Sequence, residues 1–279
     1  MKTVRDIFIF SVEYLEKKGI SNAKRSVEDL LSYTLNTTRL NVYCDFDRPL
    51  NETELSAFKT SLKERATHKP LAYIEGKVQF LTCTLLVTED VLIPRHETEE
   101  LVSMIIENAP ESGTVFDLCT GCGNIAIAIK KHCPQLEVFA SDISPKALEI
   151  AKKNAQLNDV DITFLQGDLL EAFEKTQCDL FVCNPPYIAT HHLLEKDVMD
   201  FEPHLALFAG KDGMDIFKKL SLDLHHYVKP NGKGFFEIGV DQKAIKSLFS
   251  SPFWKNLEIK KDFSQKERFF FLERESLQV

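Results

Sequence analysis

Asn184-Pro185-Pro186-Tyr187 gathers an amide side chain, two proline-locked carbonyls and an aromatic ring into four residues. Such a group can accept hydrogen bonds from an –NH₂ and lay a ring over a flat surface. That chemistry suits holding a planar amide or an exocyclic amine while something is transferred to its nitrogen. The same four residues could also make a proline-stiffened surface turn. A second group lies upstream, Cys119-Thr120-Gly121-Cys122-Gly123. Its glycines allow close backbone approach to a ligand and conformations closed to other residues. Asp142 follows about 20 residues later, where an acidic side chain takes ribose hydroxyls in a nucleotide-binding βαβ unit. A carboxylate there disfavours a 2′-phosphate and so argues against NADP.

Other chemistry-bearing residues lead less far. Cys119 and Cys122 form a C-x-x-C, but no second pair has zinc spacing, and the pair sits inside the glycine loop. His191-His192 and His225-His226 are adjacent in sequence and do not converge on a metal from one helix face. No metal site is expected.

The elements needed to position these groups can be read around them. Val115–Leu118 reads as a buried strand, the glycine loop follows, and Asn124–Ile129 opens an apolar helix. A second strand, Glu137–Ser141, ends at Asp142. Ser144-Pro145 caps and starts the next helix. Ile162–Leu165 is a third strand, left through Gly167-Asp168-Leu169. The apolar run Leu180–Cys183 is a strand that the two prolines must end, because each lacks a backbone N–H. A helix near 215–228, a turn at Pro230-Asn231-Gly232 and strands at Phe235–Ile238, Leu257–Lys260 and Arg268–Leu272 complete an α/β pattern. Ahead of it, residues 4–18 read as an amphipathic helix ended near Gly19, and Ser21 to about Leu35 as a second. A third starts at Asn51, with Glu54 completing a capping box. The boundaries expected are a helical substrate-docking domain at 1–76, a β-hairpin connector at 77–92 and the α/β domain at 93–279.

The chain has 279 residues, 44% hydrophobic and 27% charged, enough for one large domain and a small one. The net charge of −8 does not favour nucleic acid, for which a basic patch supplies most affinity. Residues 1–76 hold 12 Lys and Arg against 11 Asp and Glu, a balance that fits a protein-docking module better than an RNA clamp. No signal peptide and no apolar run of roughly 20 residues is expected from the sequence. Seven cysteines cannot pair completely, which points to reduced thiols in a cytoplasmic setting.

The glycine loop, Asp142 and the Asn-Pro-Pro-Tyr loop together resemble the class I S-adenosylmethionine-dependent methyltransferases. Further segments narrow the likeness to the PrmC/HemK family: Pro70–Gly76 with Phe80, Ile93–Val102, and Glu202-Pro203 through Gly213. The resemblance covers nearly the whole chain. It implies a Rossmann-like seven-stranded sheet, ending in an antiparallel hairpin, beside a small N-terminal helical domain. It further implies methylation of the amide nitrogen of the glutamine in the Gly-Gly-Gln motif of class I peptide chain release factors. S-adenosyl-L-methionine would be the donor and S-adenosyl-L-homocysteine the product. A ribosomal-protein glutamine and an exocyclic base amine are the rival acceptors. In that scheme Asn184 and the Pro185 carbonyl take the two amide hydrogens, Tyr187 packs on the amide plane, and Pro186 keeps the loop rigid. Cys119, Thr120, Gly121, Cys122 and Gly123 form the donor loop, with Asn184 also at the donor. Asp142 takes the ribose, Asp168 and Leu169 flank the adenine, and Asp117 anchors the loop or the donor's amino group. An N-cap is the competing role for Asp168. Two residues depart from the family pattern. Cys119 replaces the first glycine, with a modest change in loop packing expected, and His96 replaces a proline and is expected to be either solvated or satisfied within the core.

Overall fold

A computed structural model describes residues 2–174 and 176–276. Its contacts group the chain into two units. The first contains the chain up to Gly76 together with Leu194–Phe201. Its helices are α1 (Val4–Lys17), α2 (Ala23–Thr34), α3 (Arg39–Cys44), α4 (Glu52–Arg65) and α5 (Leu71–Glu75). On α1 the buried residues Val4, Ile7, Phe8, Ser11 and Leu15 recur at helical spacing. Thr3 and Asp6 cap the helix reciprocally, and Asn51 and Glu54 do the same for α4. These satisfy backbone N–H groups that the first helical turn leaves unpaired. The helices close on a core containing Leu30, Leu31, Val42, Phe58 and Leu62. Helix α3 is not among the expected elements. It has six residues, of which only Val42 is buried, so it shows no apolar period; Thr38 marks its start by accepting from the Asn41 N–H.

The segment Leu194–Phe201 joins this unit through a nearly buried ion pair. Arg65 Nη1 lies 2.7 Å from Asp197 Oδ2, and His68 Nδ1 lies 3.1 Å from Asp197 Oδ1. Arg65 also donates to Ser26 Oγ and to the carbonyls of His68 and Lys69.

The second unit starts with a hairpin, β1 (Lys77–Phe80) and β2 (Cys83–Leu86), whose tight turn places Leu81 at φ +49°. The strands of the expected 77–92 connector therefore end at Leu86, and the hairpin belongs to the second unit. Next come α6 (His96–Glu107), β3 (Gly113–Leu118), α7 (Asn124–His132), β4 (Leu136–Asp142), α8 (Pro145–Leu157), β5 (Thr163–Gln166) and β6 (Cys178–Cys183). The Lys196–Phe201 helix of the first unit is α9; α10 (Asp215–Asp223), β7 (Val228–Glu237), β8 (Trp254–Lys261) and β9 (Glu267–Arg274) follow. Besides its pairing with β1, strand β2 is held on α8 by side chains that bond its backbone as a further strand would. Asn154 both accepts from the Leu86 N–H and donates to the Leu86 carbonyl, and Asn158 does the same with Thr84.

Seven strands form one sheet in the order β5-β4-β3-β6-β7-β9-β8, parallel except where β9 pairs antiparallel with β7 and β8. Strand β7 begins earlier than expected, at Val228. It pairs first with Cys178 and resumes at Lys233 opposite Leu180, so the Pro230-Asn231-Gly232 turn is a bulge within the strand. The chain runs from β3 outward to β4 in one direction and later to β6 in the other. That reversal opens a crevice beyond the carboxyl ends of the three strands, where ligands bind in open α/β sheets. No helix among the described residues is long and apolar enough to cross a membrane.

Candidate active site

A cavity of about 310 Å³ fills that crevice, inside the roughly 300–1,000 Å³ range of small-molecule sites. Cys119 to Cys122 form one wall, Asp142 and Ser141 another, Asp168 and Leu169 a third, and Asn184 and Pro186 lie at the end of β6. Pro94, Arg95 and Thr98 close it from the N-terminal side of α6, and Leu205 and Phe208 from the segment after α9. Two of these segments are pinned together by a buried carboxylate. Glu202 accepts from Arg95 Nη2 at 2.5 Å and from the Ile93 N–H at 3.2 Å.

The glycine loop is shaped from beneath. Asp117 is fully buried; its Oδ2 accepts from Thr120 Oγ1 at 2.5 Å and from the Ala126 N–H at 3.2 Å. Burial pushes its pKa up to about 7, against the lowering effect of those hydrogen bonds. Cys119 holds φ +60°, the left-handed conformation that glycine adopts freely. Gly123 starts α7 at φ +85°, and a Cβ on it would meet Ile127 Cδ1 at 3.0 Å and Ala151 Cβ at 3.2 Å. At the next strand end, Asp142 Oδ2 accepts from the Gly121 N–H at 2.8 Å and Oδ1 from the Ser144 N–H at 2.9 Å. Burial raises its pKa as well, partly offset by these backbone donors.

The Asn-Pro-Pro-Tyr loop is tied down at both ends. Asn184 Nδ2 donates to Thr98 Oγ1 at 3.2 Å, and Tyr187 OH to Glu237 Oε1 at 3.0 Å. Gln242 Nε2 donates to the carbonyls of Tyr187 and Gly213. Gly213 leaves no room for a side chain, since a Cβ there would lie 2.2 Å from the Tyr187 carbonyl oxygen.

Residues 7–76 match the PrmC N-terminal domain and residues 96–201 the Methyltransferase small domain. A release factor glutamine methyltransferase of Geobacter sulfurreducens is 37% identical over 251 residues, 89% of this chain and 88% of the relative. One from Leptospira interrogans is 40% identical over 276 residues, 95% of this chain and 96% of the relative. The chain belongs to the release factor glutamine methyltransferase family. The crystal structure of a methyltransferase from Pyrococcus furiosus, 15% identical, shares the fold with a TM-score of 0.54, covering 79% of this chain and all of that one. The expected methyltransferase sheet with its N-terminal helical region is thus the observed one.

The family's methyl donor, S-adenosylmethionine, carries a ribose, a base and a charged amino-acid tail, and the cavity has a feature to suit each. Asp142 offers a carboxylate for a diol, Ile143, Leu169 and Ile216 offer apolar surface, and the first turn of α7, at Asn124 and Ile125, brings the positive end of a helix to the wall, which suits a carboxylate. Ser141 Oγ is buried in the wall with no hydrogen-bond partner among the described residues, so a polar ligand atom has a place there.

The residues expected at the site divide into two sets. Cys119, Thr120, Gly121, Cys122, Asp142, Asp168, Leu169, Asn184 and Pro186 line the cavity. Asp117 and Gly123 do not: Asp117 anchors the loop from below, and Gly123 serves the packing of α7 on α8. Pro185 and Tyr187 also lie off the cavity wall. Asp168 makes no N-cap hydrogen bond; its half-exposed carboxylate stands 3.9 Å from Lys219 Nζ. His96 is exposed beside Glu99, the solvated setting of the two expected and not the core one. Thr98 and Glu237 are absent from the expected set. Thr98 lies in a segment quoted only for its family likeness, and nothing local marks Glu237 as more than a strand residue.

Proposed function

We propose that this chain transfers the methyl group of S-adenosylmethionine to the side-chain amide nitrogen of the glutamine in the Gly-Gly-Gln motif of class I peptide chain release factors, in the cytoplasm. The observation that carries this reading is the setting of Asn184. It stands on the cavity wall with its amide nitrogen already bonded to Thr98, which leaves Oδ1 to accept from an incoming –NH₂. The choice of acceptor is supported by relatives of nearly full length that bear the name release factor glutamine methyltransferase.

An amide nitrogen is a poor nucleophile because its lone pair is delocalised. The bound donor supplies an activated methyl on a sulfonium, a very good leaving group. The chain's own task is then mainly positioning, which can lower a barrier by roughly 7–11 kcal/mol. Asn184 Oδ1 and the Pro185 carbonyl accept the two amide hydrogens and aim the nitrogen at the cavity. Both oxygens also place negative potential beside a nitrogen that becomes positive. Tyr187 fixes the rotation of the amide, and the two prolines stiffen the loop. The surplus proton can leave after transfer, so no dedicated base is required. Asp142 holds the ribose, with Asp168 and Leu169 beside the base. The helical unit docks the release factor, and direct contact with nucleic acid has no part in this reading.

The test is transfer of labelled methyl to purified, unmethylated class I release factor, beside a variant whose Gly-Gly-Gln glutamine is alanine. Label on the first alone is the expected result. Label on ribosomal protein or RNA instead would replace the acceptor.

A further inference from the structure

We infer that Thr98 and Glu237 are positioning residues that set the polarity of the Asn184 amide, turning its oxygen and not its nitrogen toward the acceptor. The inference rests on the reading of Asn184 as the group that holds the acceptor amide. A carboxamide has nearly the same shape in either orientation, and nothing in Asn184 itself chooses between them. The choice comes from a chain of donors. Thr98 Oγ1 lies 2.6 Å from Glu237 Oε2 and 3.2 Å from Asn184 Nδ2. A hydroxyl has a single proton. An ionised Glu237 has none to give, so the Thr98 proton goes to the carboxylate and the Thr98 oxygen can only accept. Asn184 must therefore present its –NH₂ inward. Tyr187 OH donates to the other carboxylate oxygen, so a single side chain orients both ends of the loop.

Glu237 is the last residue of β7 and is 1% exposed. A buried carboxylate is costly unless hydrogen-bonded, and an apolar residue would fill the same space without that penalty. Its presence there is accounted for if its acceptor-only character is what the loop requires. The charged and titratable groups around it are Tyr187 on the loop, Glu97 on α6, which opposes its charge, and Arg268 on β9, which favours it. Burial outweighs these and raises its pKa. Once protonated, Glu237 can donate to Thr98, and Thr98 can then turn its own proton toward Asn184 and favour the reversed amide.

Three variants test this: Thr98→Val, Thr98→Ser and Glu237→Gln. Each is assayed for kcat and acceptor KM, cofactor Kd by calorimetry, melting temperature and the pH profile of kcat. Thr98→Val is expected to lose about 10- to 100-fold in kcat while cofactor Kd stays within about threefold. Thr98→Ser restores most of that loss. Glu237→Gln is expected to lower kcat and to lack the acid limb expected of the parent profile. Wild-type kcat in Thr98→Val, or Thr98→Ser no better than Thr98→Val at equal melting temperature, would overturn the inference. Should Thr98→Val not fold, a Glu237→Gln enzyme with the parent kcat and pH profile overturns it equally. All comparisons use the acceptor that the unaltered enzyme methylates. Unlabelled release factor with another acceptor labelled therefore counts against the substrate reading alone.

Discussion

A single carboxamide, Asn184, carries the acceptor side of the proposed chemistry, and replacing it should separate turnover from binding. Asn184→Ala is expected to lower kcat by about 100-fold or more while cofactor Kd moves by less than about threefold, as steady-state kinetics and calorimetry would show. Asp117 makes a different prediction. Burial pushes its pKa up to about 7 in the folded chain, well above the ordinary range of an exposed aspartate. The native state therefore holds that proton more tightly, and the stability it confers is complete below about pH 4 and lost as pH rises through about 7. Asp117→Asn should flatten that decline in urea melts recorded across the range. At this scale the sequence disclosed what is local. The glycine loop, Asp142 and Asn184 have roles tied to strand ends, and strand ends can be read from a few neighbouring residues. Thr98 and Glu237 could not be found that way, because the hydroxyl and its carboxylate partner are 139 positions apart. Asp117 was legible as a strand-end anchor for the loop or the donor's amino group, but only its burial and its bonds to Thr120 and Ala126 show that it serves the loop.

Among the elements, the most sensitive junction is the one between the Asn-Pro-Pro-Tyr loop and the turn before α10. Gly213 has φ +72° and no space for a Cβ beside the Tyr187 carbonyl. Gly213→Ala should therefore displace the loop, reducing kcat with little change in cofactor Kd; unchanged turnover would mean the loop tolerates the shift. The parallel strands β3, β4 and β6 were readable because burial on both faces demands short apolar runs. The reciprocal caps at Asn51 and Glu54 were readable because they are a fixed four-residue pattern. Helix α3 lacked any such pattern. The early start of β7 was hidden because Pro230 and Gly232 signal a turn, and only pairing with β6 shows a strand running on both sides of it.

For the whole molecule, the decisive fact is that the chain visits its first unit twice. Residues up to Gly76 form most of it, and Leu194–Phe201 returns to complete it through Asp197. Asp197→Ala leaves the Arg65 guanidinium, 8% exposed, without its carboxylate. A loss of about 1–3 kcal/mol in stability is expected, read from denaturant melts. The division into a helical and an α/β part was legible from composition and periodicity, but this return was not, since nothing in the α9 sequence names Arg65 as its partner. The return bears on how the protein can be taken apart. A chain begun at Lys77 would carry α9 stripped of its counter-charges, an amputated segment and not a free-standing enzyme. Supplied as a separate polypeptide, residues 1–76 would have a specific stump to rebind, so the two pieces should reassemble by complementation, and Asp197→Ala should weaken that reunion.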